Sequence, residues 1–154
     1  MSKQTKIVIA TDHAGFELKQ SMQSFLEKGG YEVLDIGAHE FVDGDDYPVY
    51  MTAAAMKVAE DMSGNTRAII FGGSGEGEAI VANRFPGVRA VVWYGGSEEI
   101  IRLSREHNNA NVLSIGARFV DEETAKRAVM MWLTTEFSGE EKHNRRNLQI
   151  DSIE

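Results

Sequence analysis

The chain has 154 residues, 42% hydrophobic and 26% charged, the size and balance of a single globular domain over residues 1–154, which excludes wholesale disorder. Its 16 lysines and arginines against 24 aspartates and glutamates leave a charge of −8, which argues against non-specific nucleic-acid binding or docking on an anionic membrane. Cysteine is absent, so a disulfide scaffold, a thiolate zinc site, an iron–sulfur cluster and a thiol nucleophile are excluded.

In chain order, the opening MSKQTKIVIATD lacks an apolar stretch of leader length, and no later run could span a bilayer. A cytoplasmic protein is the expectation. Ile7–Ala10 reads as a strand, and Phe16–Lys28 as a helix with Phe16, Leu18, Met22, Phe25 and Leu26 on or near one face. Gly29 and Gly30 end that helix, and Tyr31–Ile36 reads as a second strand. Pro48 suits the first turn of a helix running to about Met62. Ala68–Phe71 is a buried strand, followed by a glycine-rich turn and a short helix through about Asn83. Val88–Trp93 is another strand, with Ser97 as N-cap of a helix over Glu98–Glu106. Val112–Ile115 is the fifth strand, and Asp121 caps a long helix from Glu122 to about Thr135. The segment at about 140–150 carries the dense basic cluster Lys142-His143-Asn144-Arg145-Arg146.

Five strands alternating with helices predict an α/β three-layer sandwich with a five-stranded, mainly parallel sheet. Ligands of such sheets sit beyond the carboxyl ends of the strands. That directs attention to Asp12 and His13, to the loop Gly72–Gly77, and to the loops after Trp93 and Ile115.

The strongest local signal is GGSGEGE at Gly72–Glu78. Glycines after a buried strand let the backbone approach a ligand, and the following helix offers free N–H groups to an anion. A P-loop would need a lysine that is missing, a dinucleotide loop would need glycine at Ile80, and a nucleophile elbow would need glycine at Glu76. A small phosphorylated or carbonyl ligand remains, and a tight structural turn fits the same glycines. Glu78 stands where the helix begins, and the helix dipole there should lower its pKa. A base near neutrality needs an opposing effect, such as burial around a bound substrate.

Asp12 also fits a helix N-cap, His107-Asn108 a polar helix end, and the Lys142–Arg146 cluster a solvated tail with the composition of a phosphate clamp. The run Asp43-Gly44-Asp45-Asp46 beside His39 lacks calcium-loop spacing, and the histidines lack helical zinc spacing. No metal or cofactor site is expected.

Together, DHAG at Asp12–Gly15, DYP at Asp46–Pro48, GGSGEGE at Gly72–Glu78, Ala82-Asn83, SREHNNANVLSIGAR at Ser104–Arg118 and KHNRR at Lys142–Arg146 resemble the ribose-5-phosphate isomerase B family. That family includes the galactose-6-phosphate isomerase subunits. The resemblance covers Lys6 to about Ile150. It implies a Rossmann-like homodimer or homotetramer with active sites shared across the dimer interface. It also implies cofactor-free interconversion of ribose 5-phosphate and ribulose 5-phosphate.

In the branch of the family with GGSG-x-GE, the carboxylate at the position of Glu78 abstracts the proton; the other branch has a cysteine base where Gly72 stands here. By the same resemblance, His107 assists ring opening and Asp12 shuttles protons at the sugar oxygens. Ser74, Asn108 and the amides of Gly73, Gly75, Glu76 and Gly77 stabilise the enediolate, while His13, Arg118, Lys142 and Arg146 hold the phosphate end. The family usually has arginine where Lys142 stands; lysine keeps the charge and loses the bidentate fork. Two other readings stay open: an isomerase of a hexose 6-phosphate or tetrose 4-phosphate, and a non-catalytic sugar-phosphate-binding module.

Overall fold

The computed structural model describes residues 4–154; the first three residues of the opening stretch read above for a leader lie outside that range. The described residues form five strands, β1 (Lys6–Thr11), β2 (Glu32–Gly37), β3 (Thr66–Gly72), β4 (Ala90–Trp93) and β5 (Val112–Gly116). All strand pairs are parallel, in the order β2-β1-β3-β5-β4. Six α-helices accompany them: α1 (Phe16–Lys28), α2 (Tyr47–Glu60), α3 (Glu76–Ala82), α4 (Glu99–Glu106), α5 (Glu122–Thr134) and α6 (Glu141–Asp151). None is long and apolar enough to cross a membrane.

Strand alternation divides the interior into two cores. Ile7, Ile9, Ile69, Phe71, Leu113 and Ile115 point to one face, against Met22 and Leu26 of α1, Ile101 of α4 and Ala128 and Trp132 of α5. Val8, Ala10, Ala68, Ile70 and Val112 point to the other, against Met51, Ala54 and Val58 of α2 and Ala82 of α3. The chain adds β2 on one side of β1 and β3 on the other, with α1 and α2 covering opposite faces, so the order of strand addition reverses between β1 and β3. In sheets of this kind ligands sit in the crevice at the carboxyl ends of the strands at such a switch point.

The predicted elements are all present, with shifted edges. Val88 and Arg89 stay outside β4 because their N–H groups are taken elsewhere, by the Phe85 carbonyl at 3.1 Å and by the Asn111 amide oxygen at 2.7 Å, while Asn83 bonds the N–H (2.8 Å) and the C=O (3.0 Å) of Ala90 at the strand's start. Helix α4 starts at Glu99, one residue later than expected, and its N-cap position falls to Glu98 rather than Ser97; Ser97 Oγ instead accepts from Glu99 N–H at 3.3 Å in the turn before the helix. Asp121 caps α5 through Thr124 N–H at 2.7 Å, as predicted. The basic tail belongs to α6, a helix longer than its charged cluster.

Lys19 departs from the expected pattern. It lies within the buried face of α1, 1% exposed, with Nζ 2.6 Å from Asp35 Oδ1 and 2.8 Å from the Ala38 carbonyl. The ammonium ties α1 to the end of β2, and its stem fills apolar space.

Candidate active site

The crevice between the ends of β1 and β3 holds the first group of candidates. β1 delivers Asp12, whose side chain is nearly buried and whose Oδ1 accepts from Ala14 N–H at 3.0 Å, capping a 3-10 turn over His13–Gly15. The cap anticipated from the sequence is therefore real, and it leaves Oδ2 beside His13 Nδ1 at 3.8 Å.

β3 delivers the glycine loop. Gly75 adopts φ +83°, a left-handed conformation that favours glycine, and its carbonyl accepts from Ser114 Oγ at 2.7 Å. Ser74 Oγ accepts from Glu76 N–H at 3.2 Å, and the Glu76 side chain points into solvent. The loop is fastened to the one after β5 by Ala117 N–H to the Gly72 carbonyl (2.8 Å) and Arg118 N–H to the Gly73 carbonyl (3.1 Å). The Arg118 guanidinium lies over Gly73, where a Cβ would come within 3.1 Å of Nη1.

Glu78, on the first turn of α3, is 4% exposed, and its carboxylate lies against Gly72. Burial pushes its pKa above the ordinary glutamate value, and the neighbouring Asp12 and Glu76 charges add to the rise. The dipole effect anticipated from the sequence is outweighed in the free protein, before any ligand arrives.

Three residues to which the sequence reading gave no role at the site complete this group. The Tyr47 ring packs against Gly77, so that a Cβ there would collide with it. Asp45 Oδ1 accepts from His13 N–H at 2.9 Å and bonds His13 Nδ1 at 2.8 Å, while Tyr50 OH donates to its Oδ2 at 3.1 Å. The Asp45 bond is the largest influence on His13 and raises its pKa; burial opposes it, and the charge of Asp12 supports it. Burial also pushes the Asp45 carboxyl up, but its bonds from His13 and Tyr50 bring it below the usual carboxylate range. Asp45 belongs to the acidic run set aside for want of calcium-loop spacing; only the proximity of DGDD to DYP hinted at it. Asp12, His13 and Asp45 bring one polar atom each within 4.8 Å of one another, and the Nδ1–Asp45 hydrogen bond at 2.8 Å occupies the side of the ring that a cation would need.

The second group lies at the other end of the sheet. His107 ends α4, just before β5 begins, and its ring stacks on His143 of α6 with centroids 4.1 Å apart and planes 15° apart. Asn147 of α6 donates to the His107 carbonyl at 3.0 Å. Burial lowers the His143 pKa, and the His107 charge adds to that effect. Asn108, Lys142 and Arg146 are exposed, with Lys142 Nζ 3.4 Å from Glu140. Strand β5 separates this group from Gly116 and the glycine loop, a span of about 13 Å from Val112 to Gly116. One chain thus brings together Asp12, His13, Gly73–Gly77, Glu78 and Arg118, and separately His107, Asn108, Lys142 and Arg146.

Residues 7–150 match the family model described as Ribose/Galactose Isomerase. Over 142 residues the chain is 41% identical to ribose-5-phosphate isomerase B of Mycolicibacterium paratuberculosis, covering 92% of this chain and 86% of that one. Its identity to the Escherichia coli protein of the same name is 39%, covering 97% of this chain and 96% of that one. The fold is similar to the crystal structure of ribose-5-phosphate isomerase B from Mycoplasma genitalium with bound ribulose 5-phosphate, with a TM-score of 0.91 and 34% identity over 97% of this chain and 96% of that one. The Clostridium thermocellum structure of the same name gives a TM-score of 0.87 at 40% identity, covering 96% of this chain and 95% of that one.

Proposed function

The chain belongs to the ribose/galactose isomerase family, and on that premise we propose that it interconverts ribose 5-phosphate and ribulose 5-phosphate through an enediolate, with Glu78 as general base. The observation that carries this reading is the buried Glu78 carboxylate beside Asp12 at the end of β3, with its pKa raised toward the range a base needs.

In this account His107 helps open the furanose ring. Glu78 then takes the proton from C2 of the open-chain aldose, and the C2 electron pair forms the C1–C2 double bond as negative charge moves to O1. Asp12 moves a proton between O2 and O1. Glu78 returns its proton to C1, leaving a carbonyl at C2. Ser74, Asn108 and the backbone amides of Gly73, Gly75, Glu76 and Gly77 face the developing oxyanion, where fixed donors contribute most. His13, Arg118, Lys142 and Arg146 hold the phosphate. Hydrogen moves only between carbon, oxygen and protein acids and bases, so the sequence of steps balances without an external oxidant or reductant.

A single chain holds the two halves of this machinery at opposite ends of the sheet. The reading therefore includes a homodimer, or a tetramer built from dimers, in which His107, Asn108 and the α6 cations of one subunit complete the crevice of its neighbour. An acidic, cysteine-free chain fits the cytoplasmic setting that goes with it.

Lys142 favours one variant of this reading, a different preferred sugar phosphate, because a lysine in place of the family's usual arginine grips phosphate as a point charge. Comparison of kcat/KM across pentose 5-, hexose 6- and tetrose 4-phosphates tests both. The proposal expects the pentose to lead and Glu78→Gln to abolish turnover; a hexose or tetrose in the lead shifts the substrate, and ligand-induced stabilisation without turnover points to a binding module.

A further inference from the structure

The β2–α2 loop reaches across the crevice to a histidine on another element. Asp45 sits in that loop, its side chain only 8% exposed, and it engages His13 twice, through the backbone N–H at 2.9 Å and the ring Nδ1 at 2.8 Å. Tyr50 of α2 steadies the second carboxylate oxygen at 3.1 Å. The Phe41 ring meets the His13 ring edge-on at 6.4 Å, and Phe16 meets Phe41 at 6.1 Å, so the imidazole is confined as well as bonded. With Nδ1 committed to Asp45, the ring has a single remaining polar atom, Nε2.

From this geometry we propose that Asp45 is a positioning residue for the isomerase reaction: it holds His13 in one ring orientation as an imidazolium, leaving Nε2–H as a charged donor for the substrate's phosphate. The inference rests on the isomerase reading above. A carboxylate on Nδ1 fixes which nitrogen keeps its proton and stabilises the positive ring. A charged donor holds a dianion more strongly than a neutral imidazole does.

The other charges that act on His13 are Asp12 at 3.8 Å and Asp43 of the same loop; Glu17 and Glu122 line the same small cavity, Glu122 paired with Lys126 at 2.6 Å. Asp12 and Asp43 favour the cation too, but of the set only Asp45 bonds the ring nitrogen at hydrogen-bond distance. Removing the Asp45 charge therefore weakens the largest single support without abolishing the rest.

The test is the pH dependence of KM for ribose 5-phosphate in wild type, Asp45→Asn and Tyr50→Phe, alongside proton NMR titration of His13 assigned by its loss in His13→Gln. In wild type, His13 titrates above the ordinary histidine value, and in Asp45→Asn it falls toward that value. At a pH between the His13 midpoints that NMR gives for the two proteins, the Asp45→Asn KM rises severalfold, with kcat changed much less, because a charge-assisted contact to the ground-state phosphate is lost. At about pH 5.5, where His13 is protonated in both proteins, the two KM values converge to within about twofold. Tyr50→Phe removes one bond to the carboxylate but leaves both Asp45–His13 bonds in place, so its rise in KM follows the same pH dependence and is smaller than that of Asp45→Asn.

A KM that rises by the same factor at both pH values, or not at all, overturns the proposal, as does a wild-type His13 that titrates at or below the ordinary value. If Asp45→Asn fails to fold, a wild-type His13 that titrates at or below the ordinary value still overturns the proposal. Failure of the isomerase reading is a separate outcome, namely wild type that turns over no ribose 5-phosphate.

Discussion

A Cβ at Gly72 would stand where the Glu78 carboxylate lies. The proposed base and the absence of a side chain six residues earlier are thus one design, since β3 must end in glycine for the first turn of α3 to lay its carboxylate over the strand end. It also gives a physical reason for the two branches implied by the resemblance, because a cysteine side chain at Gly72 and a glutamate from Glu78 would compete for the same space.

Gly72→Ala should therefore inactivate without unfolding. The clash is with the flexible end of Glu78 rather than with backbone, so the carboxylate swings away at a cost to stability of about 1 kcal/mol. Displacing a general base lowers kcat about 100-fold or more. Thermal melting and steady-state kinetics check both parts; an alanine variant with wild-type kcat would show that the carboxylate works from another position.

Burial raises the Glu78 pKa, and two consequences follow with definite signs. The base acts when ionised, so kcat/KM is full at high pH and falls as pH drops through a value above that of an ordinary glutamate. For stability, the folded state holds the Glu78 proton more tightly than the unfolded state does, so stability falls as pH rises from the ordinary glutamate value through the raised one. At neutral pH the ionised carboxylate is then a burden, and Glu78→Gln should melt a few degrees higher than wild type while losing turnover. Melting curves of both proteins at acid and neutral pH decide it: the gain appears at neutral pH and shrinks in acid.

The separation of the two groups by the length of β5 predicts complementation between inactive proteins. On the proposed shared site, Glu78→Gln and His107→Asn each damage a different half. Random mixing of the two as subunits makes heterodimers with one intact site each, so recovered activity approaches about a quarter of wild type. Mixing after denaturation and refolding, with assay before and after, provides the measurement. No recovery means that each chain completes its own site.

Lys19 should matter for stability rather than for chemistry. Lys19→Ala leaves a cavity and strips Asp35 and the Ala38 carbonyl of their shared partner, for a loss of about 2–4 kcal/mol. The loss is held below that of a fully buried pair because Asp35 is partly exposed and also accepts from Gly37 N–H at 2.9 Å. Denaturant unfolding gives the number, and a kcat near wild type in the folded variant separates this role from a catalytic one.

Much of this was legible in the sequence, for reasons that can be named. Helix α1 ran from Phe16 to Lys28 as read, since an apolar stripe and a Gly-Gly stop leave little freedom. Asp121 was legible as a cap because N-cap chemistry is local. What was missed depends on distance in the chain. Asp45 meets His13 across 32 residues, and Lys19 meets Asp35 across 16, on a face that periodicity marks as apolar. The rise in the Glu78 pKa was not legible either, because the helix dipole is written in local sequence whereas burial is set by packing against Gly72. Glycine's role there is to be empty, and no single-residue propensity records what fills an emptiness.

The most direct test of the central claim is incubation of ribose 5-phosphate in D₂O with wild type and with Glu78→Gln, followed by proton NMR. The account predicts ribulose 5-phosphate and loss of the C2 hydrogen signal to solvent with wild type, and neither with the variant. Ketose formation and exchange undiminished in Glu78→Gln would contradict Glu78 as the base, and neither with wild type would contradict the isomerase itself.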